Sequence, residues 1–247
     1  MKNQKDTLGD RMKEYEYVNR NYLTNRLPIV CRLDGKAMHS FTKGFNRPFD
    51  KIFMQTMVET AKYLCENITY CKVAYVQSDE ISLLLNNYEN IESEPWFNNN
   101  IQKIVSVSAS MATLAFNKTF RELANNEVYY KKLDKALFDS RVFVLPKEEV
   151  CNYFIWRQQD ATRNSINMVA QANFSHKSLQ GLNCNQMQDK LWEEKQINWN
   201  DFETPCKRGT CIIRESYMKE EVERHRWVED RNIPIFTQDR EYINKFI

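Results

Sequence analysis

The sequence predicts an α+β fold built on a β-α-β-β-α-β unit, and three observations predict it. Four short, β-prone apolar runs stand at 29–33, 72–76, 81–85 and 141–145. Two helical patterns separate them in the required order. After Pro48, the residues Phe49, Ile52, Phe53, Thr56, Met57, Thr60, Ala61 and Leu64 repeat at the spacing of one buried helical face. In 101–120, Val105, Ser108, Ala112 and Ala115 make a small-residue face able to lie close on a sheet. Finally, only the tetrad Gln77-Ser78-Asp79-Glu80 separates the second and third runs, the length of a hairpin turn.

Each element has its own local reason. Residues 1–26 are polar and helical in character, with Thr7 or Asp10 as caps and Met12, Tyr15, Val18 and Tyr22 along one side. Pro28 opens the first strand, which Asp34-Gly35 closes. Residues 36–47 form a loop with basic and aromatic members, and Pro48 suits the first turn of a helix. The acidic, Asn-rich stretch 86–100 reads as a loop, and a third helix runs over 147–173. Beyond 174 the pattern changes to a short helix at 187–195 and two strand-like stretches at 207–215 and 224–236. The expected division is a catalytic domain over 1–173 and an appended α/β subdomain over 174–247 packed on it, since no Pro/Ser/Gly-rich linker intervenes.

The unit is the ferredoxin-like split arrangement, an antiparallel sheet with its helices on one face. A right-handed crossover makes the first two strands parallel, with the third between them. Their C-terminal ends then share one edge of the sheet. Asp34 closes the first strand, and Asp79 and Glu80 sit in the turn leaving the second. Topology alone brings three carboxylates to one edge.

Composition narrows what that edge can do. The chain has 247 residues, enough for one substantial core or a core and a smaller subdomain. Lys and Arg number 35 against 33 Asp and Glu, a net +2, so any surface for RNA or phosphate must be a local patch. No apolar run approaches the roughly 18–20 residues that span a bilayer, and the polar N-terminus has no signal-peptide core; the expectation is a cytoplasmic protein with no membrane partner. The 7 cysteines are scattered with no CxxC pair, which points to buried reduced thiols. With 3 histidines there is no His-rich metal site. Neither GxGxxG nor GxxxxGK[ST] occurs, so a nucleotide would have to be gripped through metal.

Two carboxylates ~4 Å apart repel by about 1 kcal/mol in water and ~4 kcal/mol at an effective dielectric of 20. Such a pair needs a lysine or arginine, a shared proton, or a divalent cation. Carboxylate oxygens without His or Cys favour Mg²⁺, which recruits substrate phosphates. Two Mg²⁺ would serve an in-line displacement, with Asp34 and Asp79 as bridging ligands and Glu80 as a support. Gly35, free of a Cβ, lets the backbone approach metal or triphosphate closely.

The residues RLDGKAMHSF (32–41), QSDE (77–80), Lys103, FDSR (138–141), WRQQD (156–160) and KRGT (207–210) occur in an order and spacing that resemble one family. The chain resembles the tRNA-histidine guanylyltransferase superfamily over nearly its whole length, and more closely its guanylyltransferase-like branch of 3′→5′ nucleotide-adding enzymes. The resemblance implies a fold like the palm of template-directed polymerases, and ATP and GTP as substrates. It implies Asp34, the Gly35 carbonyl and Asp79 as metal ligands, with Glu80 beside them. It also implies a triphosphate-holding set of Gly35, Lys36, Ala37, Met38, His39 and Ser78, with His39 near the base. The implied partners are tRNA and nucleoside triphosphates, and the implied assembly is a homotetramer.

Two departures stand out. Where the tRNA-histidine enzymes carry HINN, this chain has Thr162-Arg163-Asn164-Ser165, so recognition of the histidine anticodon loses its first residue. The family's lysine of the 5′-activation loop aligns with Arg47, one residue out of register. Arginine keeps the charge but not its point geometry.

The remaining candidates carry bland readings too. Lys103, early in the second helix, either faces the triphosphate or is a solvated lysine. Trp156 is expected in the core. Arg157 anchors either a phosphate or an internal carboxylate such as Asp160. Asn164, Lys207 and Arg208 are candidate RNA contacts, the last two at the start of a strand where basic residues also prevent aggregation. The expected activity is Mg²⁺-dependent addition of nucleotides to the 5′ end of truncated tRNA, by way of 5′-adenylylation or a 5′-triphosphate. The rivals are strict addition of one G to tRNA-histidine and a non-catalytic ferredoxin-like RNA-binding module.

Overall fold

The computed structural model describes residues 7–88, 90 and 92–247. In chain order these are α1 (Thr7–Tyr17), β1 (Ile29–Gly35), α2 (Met38–Phe41), α3 (Lys51–Asn67), β2 (Cys71–Gln77), β3 (Glu80–Leu85), α4 (Ile101–Leu123), α5 (Glu127–Tyr130), β4 (Phe138–Val144), α6 (Lys147–Asn173), α7 (His176–Leu179), α8 (Cys184–Lys195), α9 (Thr204–Arg208), β5 (Thr210–Lys219), β6 (Val222–Asp230) and α10 (Glu241–Asn244). One six-stranded sheet runs in the order β4-β1-β3-β2-β5-β6, and every pairing is antiparallel. With β3 antiparallel to both, β1 and β2 are parallel and their C-terminal ends coincide, as the crossover rule requires.

Alternation along the strands sorts residues between two cores. Cys31 and Leu33 of β1 and Ile81, Leu83 and Leu85 of β3 pack with α3 and α4. Val30 and Leu84 face the other way, against α6 and the C-terminal segment. The helices of the β-α-β-β-α-β unit thus share one face, and α6 closes the opposite one. β3 is buried along its whole length because both its faces are covered. Asp50 caps α3, its Oδ1 accepting from the Phe53 N–H at 2.9 Å, and Phe53, Met57, Ala61 and Leu64 then turn inward. On α4 the buried stripe is Ile104, Ser108, Ala112, Ala115, Phe116 and Phe120, with Ile104 in place of the expected Val105.

Three expectations change. Helix α1 buries none of its residues, and Met12, Tyr15 and Val18 are exposed, so its apolar side does not join the core. Trp156 is half exposed because it projects from the flank of α6 while Phe154 and Arg157 point inward. The two C-terminal strands lie at Thr210–Lys219 and Val222–Asp230, and β5 pairs with β2, so this hairpin extends the first sheet. The helical part of the C-terminal region packs through Leu179, Met187 and Leu191 onto Ile166, Val169 and Ala170 of α6. Cys31, Cys65, Cys71, Cys151 and Cys211 are buried, and all 7 cysteines are free thiols. Among the described residues no helix is long and apolar enough to cross a membrane.

Candidate active site

The acidic edge forms where three strands end together. In register, Asp34 lies opposite Glu80 of β3 on one side and Asp139 of β4 on the other. Ser78 and Asp79 are the two residues of the β2–β3 turn, closed by the pair Gln77 and Glu80. Ser78 takes φ 49°, the left-handed conformation that two-residue hairpin turns demand. The Gly35 N–H donates to the Asp79 carbonyl at 3.0 Å, and the Lys36 N–H to the Leu137 carbonyl at 2.8 Å. The first bond ties the end of β1 to the turn and holds Asp34 near Asp79, and the second ties it to the segment that enters β4.

Glycine at 35 is required by space. A Cβ there would lie 2.3 Å from Met38 Cγ and 3.2 Å from Asp79 Cβ. Met38 is buried beneath the glycine, so its side chain belongs to the core and only its backbone is available to a ligand. The following loop is anchored by Phe41 and Phe45, which pack on Phe120 and Tyr129 with ring centroids 4.8–5.8 Å apart.

Electrostatics separates the three carboxylates. Burial, followed by the nearby Asp34 charge, pushes the Asp79 carboxyl above the usual range. Asp34 is partly open and has Arg141 Nη2 at 3.8 Å. Glu80 is 6% exposed and fully engaged: Arg157 donates from Nε to Oε1 and from Nη2 to Oε2, both at 2.7 Å. Arg157 also donates to Asp160 Oδ2 at 3.0 Å. Burial opposes the guanidinium charge, but Glu80 outweighs it and Arg157 is held above its usual value. Of the two readings for Arg157, the structure shows the internal carboxylate, with Glu80 as the principal partner; a side chain 6% exposed is not an RNA contact.

Beside this edge a cavity of about 440 Å³ is lined by His39, Lys43, Asn46, Arg47 and Ser78, with Met168 and Gln171 of α6 opposite. The structure therefore brings His39, Arg47 and Ser78 together. Lys36 and Ala37 are exposed on the loop that leads there, Ala37 with φ 53°. Asn164 lines a smaller adjoining cavity with Gln77 and Ser78. Lys103 is not brought to the edge. Helix α4 starts at the other end of the sheet, where Lys103 lies 6.0 Å over the Phe97 ring beside Arg20 and Tyr22. Lys207 and Arg208 end the short helix α9 instead of starting a strand. Lys207 Nζ donates to the Asn200 carbonyl at 2.6 Å, and the Arg208 carbonyl accepts from the Tyr75 hydroxyl at 2.6 Å.

Residues missed from the sequence are Lys43, Asn46 and Asp50. Lys43 had a signal, being basic in the same loop as His39 and Arg47. Asp50 had only its capping position. Its Oδ2 accepts from the Asn46 N–H at 2.9 Å and the Tyr129 hydroxyl at 2.7 Å, fixing the wall of the basic cavity.

Among the described residues no three His, Cys, Asp or Glu side chains gather as a metal cage. The donor set still fits Mg²⁺, a hard cation often held by one or two carboxylates plus substrate phosphates. Asp34 and Asp79 supply the carboxylates, and at Gly35, which follows Asp34, Met38 fills the space a Cβ would take. Glu80 is not available, since removing it from Arg157 would strand a buried charge.

The family model described as tRNAHis guanylyltransferase (Thg1) matches residues 9–146. A solved bacterial tRNA(His) guanylyltransferase (Thg1)-like protein in complex with ATP is 51% identical, with a TM-score of 0.90, covering 98% of this chain and 99% of that one. A structure of a bacterial Thg1-like protein in complex with GTP is 50% identical over 98% of this chain and 99% of that one, with a TM-score of 0.85. The tRNA(His) guanylyltransferase of Debaryomyces hansenii is 27% identical over 219 residues, 81% of this chain and 80% of that protein.

Proposed function

Because the chain belongs to the tRNAHis guanylyltransferase family, we propose that it is a Mg²⁺-dependent 3′→5′ nucleotidyltransferase that adds nucleotides to the 5′ end of tRNA, 5′-truncated tRNA included. The observation that carries this reading is the pair Asp34 and Asp79, held together by the Gly35–Asp79 hydrogen bond, with Ser78 of the same turn lining a cavity that bears His39, Lys43 and Arg47.

Asp34, Asp79 and the Gly35 carbonyl would hold the divalent ions. The chemistry these supply when bound is activation of an attacking hydroxyl and neutralisation of a departing pyrophosphate. The chain's own residues do the rest. Lys43 and Arg47 offset phosphate charge in the cavity, and the Ser78 hydroxyl donates to phosphate oxygen. His39 stands where it can contact the base. ATP serves 5′-activation and GTP serves addition. A homotetrameric assembly and a cytoplasmic location belong to the same reading.

The segment in place of HINN favours repair over strict tRNA-histidine recognition. Arg163 is tied to Asp160, and the Ser165 hydroxyl accepts from Trp199 Nε1 at 2.9 Å, so both serve the fold. The test is incubation with ATP, GTP, Mg²⁺ and a panel of tRNAs lacking the first nucleotide. Extension of several tRNAs by wild type, and its loss in Asp79→Ala, is expected. Extension of tRNA-histidine alone, by one G, would establish the stricter activity; no extension of any acceptor would end both readings.

A further inference from the structure

The loop that carries His39, Lys43 and Arg47 is held from two sides. On its inner side Met38, Phe41 and Phe45 are buried. On its outer side lies the segment 126–137, which runs from the cap of α5 to the start of β4. That segment grips the loop at both ends and in the middle. The Lys36 N–H donates to the Leu137 carbonyl at 2.8 Å, and Asn46 Nδ2 donates to the Tyr129 hydroxyl at 3.2 Å. Between them, Lys132 Nζ donates to the Ser40 carbonyl at 2.7 Å, across 92 positions of chain.

The middle tie holds the part of the loop with least support of its own. The one-turn helix α2 is far below the length at which a helix stands alone in water. The Ala37 carbonyl accepts from the N–H groups of Ser40 and Phe41, and the Met38 carbonyl from the Thr42 N–H. The Ser40 carbonyl lies at the C-terminal end, where no further turn supplies a donor, and the Lys132 ammonium takes it. Ser40 stands between His39 and Lys43 in the chain; all three are exposed and line the basic cavity. Lys132 is not part of that wall, so its ammonium is placed to act through the loop and not on a ligand.

We propose that Lys132 is a positioning residue for nucleotide binding: by clamping the Ser40 carbonyl it presents His39 and Lys43 to a nucleoside triphosphate. This rests on the nucleotidyltransferase reading, in which the basic cavity takes the triphosphate. The physical reason is pre-organisation. A loop ordered before the ligand arrives loses less conformational freedom on binding, and affinity is higher for it. Without the ammonium α2 frays, and His39 and Lys43 lose their fixed place first.

The experiment compares Lys132→Met, Lys132→Arg and Lys131→Met in the full chain. Lys131 is exposed and carries the same charge one residue away. Three quantities are read: amide hydrogen exchange at Ser40, Phe41 and Thr42, the Kd of ATP with Mg²⁺ by calorimetry, and the melting temperature. In Lys132→Met, exchange at these amides and the Kd for ATP are each expected to rise about tenfold, the size of one lost hydrogen bond from a charged donor. Lys132→Arg should restore both, because a guanidinium also donates to a carbonyl. Lys131→Met should change neither, and all three melting temperatures should stay near that of wild type.

Weaker ATP binding with unchanged exchange would make Lys132 a direct phosphate contact and overturn the proposal. So would raised exchange with unchanged ATP affinity, equal effects in Lys131→Met, or no restoration by arginine. A lowered melting temperature with exchange raised throughout the chain would make Lys132 a general stabiliser, and a wild type that binds no ATP would leave nothing to position; either overturns it. Extension of tRNA by wild type, measured on the same preparation, keeps the two claims apart. Extension with exchange unmoved by Lys132→Met defeats only the clamp. A clamp that responds in exchange and in ATP affinity, with no extension, defeats only the enzymatic reading.

Discussion

Arg157 forks onto Glu80 with two hydrogen bonds of 2.7 Å, and the pair is buried between α6 and the end of the sheet. This ties the helix on one face to the turn that carries Asp79. It also explains why three carboxylates at one edge do not repel as three charges, since one is neutralised from within. Breaking a buried pair on one side leaves an uncompensated charge and costs about 3–5 kcal/mol. Glu80→Gln and Arg157→Met are each expected to lower the urea midpoint accordingly. The double variant Glu80→Leu/Arg157→Met is expected to be less damaged than the two losses summed. Calorimetric Mn²⁺ binding should survive Glu80→Gln and fail in Asp34→Asn.

Asp79 has the opposite problem, a carboxylate whose pKa is raised by burial and then by Asp34. Below the ordinary carboxylate range it is protonated in both states and costs nothing. As pH rises through the unfolded and then the raised folded value, the folded state is penalised for ionising it. Asp79→Asn is therefore expected to raise the melting temperature at pH 7–8 without divalent ions, while abolishing extension and the stabilisation by Mg²⁺. A lower melting temperature for this variant would show the carboxylate to be held favourably.

At Gly35 a methyl group has no room beside Met38. Gly35→Ala is expected to cost about 1–3 kcal/mol, as overpacking does, and to disturb the bond to Asp79. Gly35→Ala/Met38→Ala relieves the clash and should lose less than the single changes together. Thermal melts of the three variants decide it.

Tyr129 donates to Asp50, and burial together with that carboxylate pushes its pKa up to about 12. Its stabilising share is present below the unfolded value of about 10 and is lost as pH rises through about 12. Asp50→Asn should lower the Tyr129 pKa, read by NMR of ring-labelled tyrosine. The same change should loosen Asn46 and weaken nucleotide binding.

The sequence placed the main elements and the acidic edge because both are written in local patterns. Strand and helix periods depend on neighbours in the chain, and the handedness of a crossover is nearly invariant. Hence Asp34 and Asp79 could be brought together with no contact known. Gly35 was legible too, although the atom that demands it, Met38 Cγ, was not.

What only tertiary structure decided is which partner each charged or large side chain took. Trp156, expected in the core, is half exposed, and Arg157 takes the internal-carboxylate reading with Glu80 added to Asp160, because α6 turns it inward. Gln158 accepts from the Phe236 N–H at 2.8 Å and donates to the Pro234 carbonyl at 2.9 Å, pinning the C-terminal segment. Lys103 was separated from the site by the direction in which α4 runs. Strand β5 joined β2 through main-chain bonds whose register no side-chain pattern announces. The sequence by itself determined the elements, their order and the acidic edge. The fold in space determined that Glu80 is tied inward to Arg157 while Asp34 and Asp79 are left without such a buried partner, because pairing of buried charge is settled by proximity across elements distant in the chain.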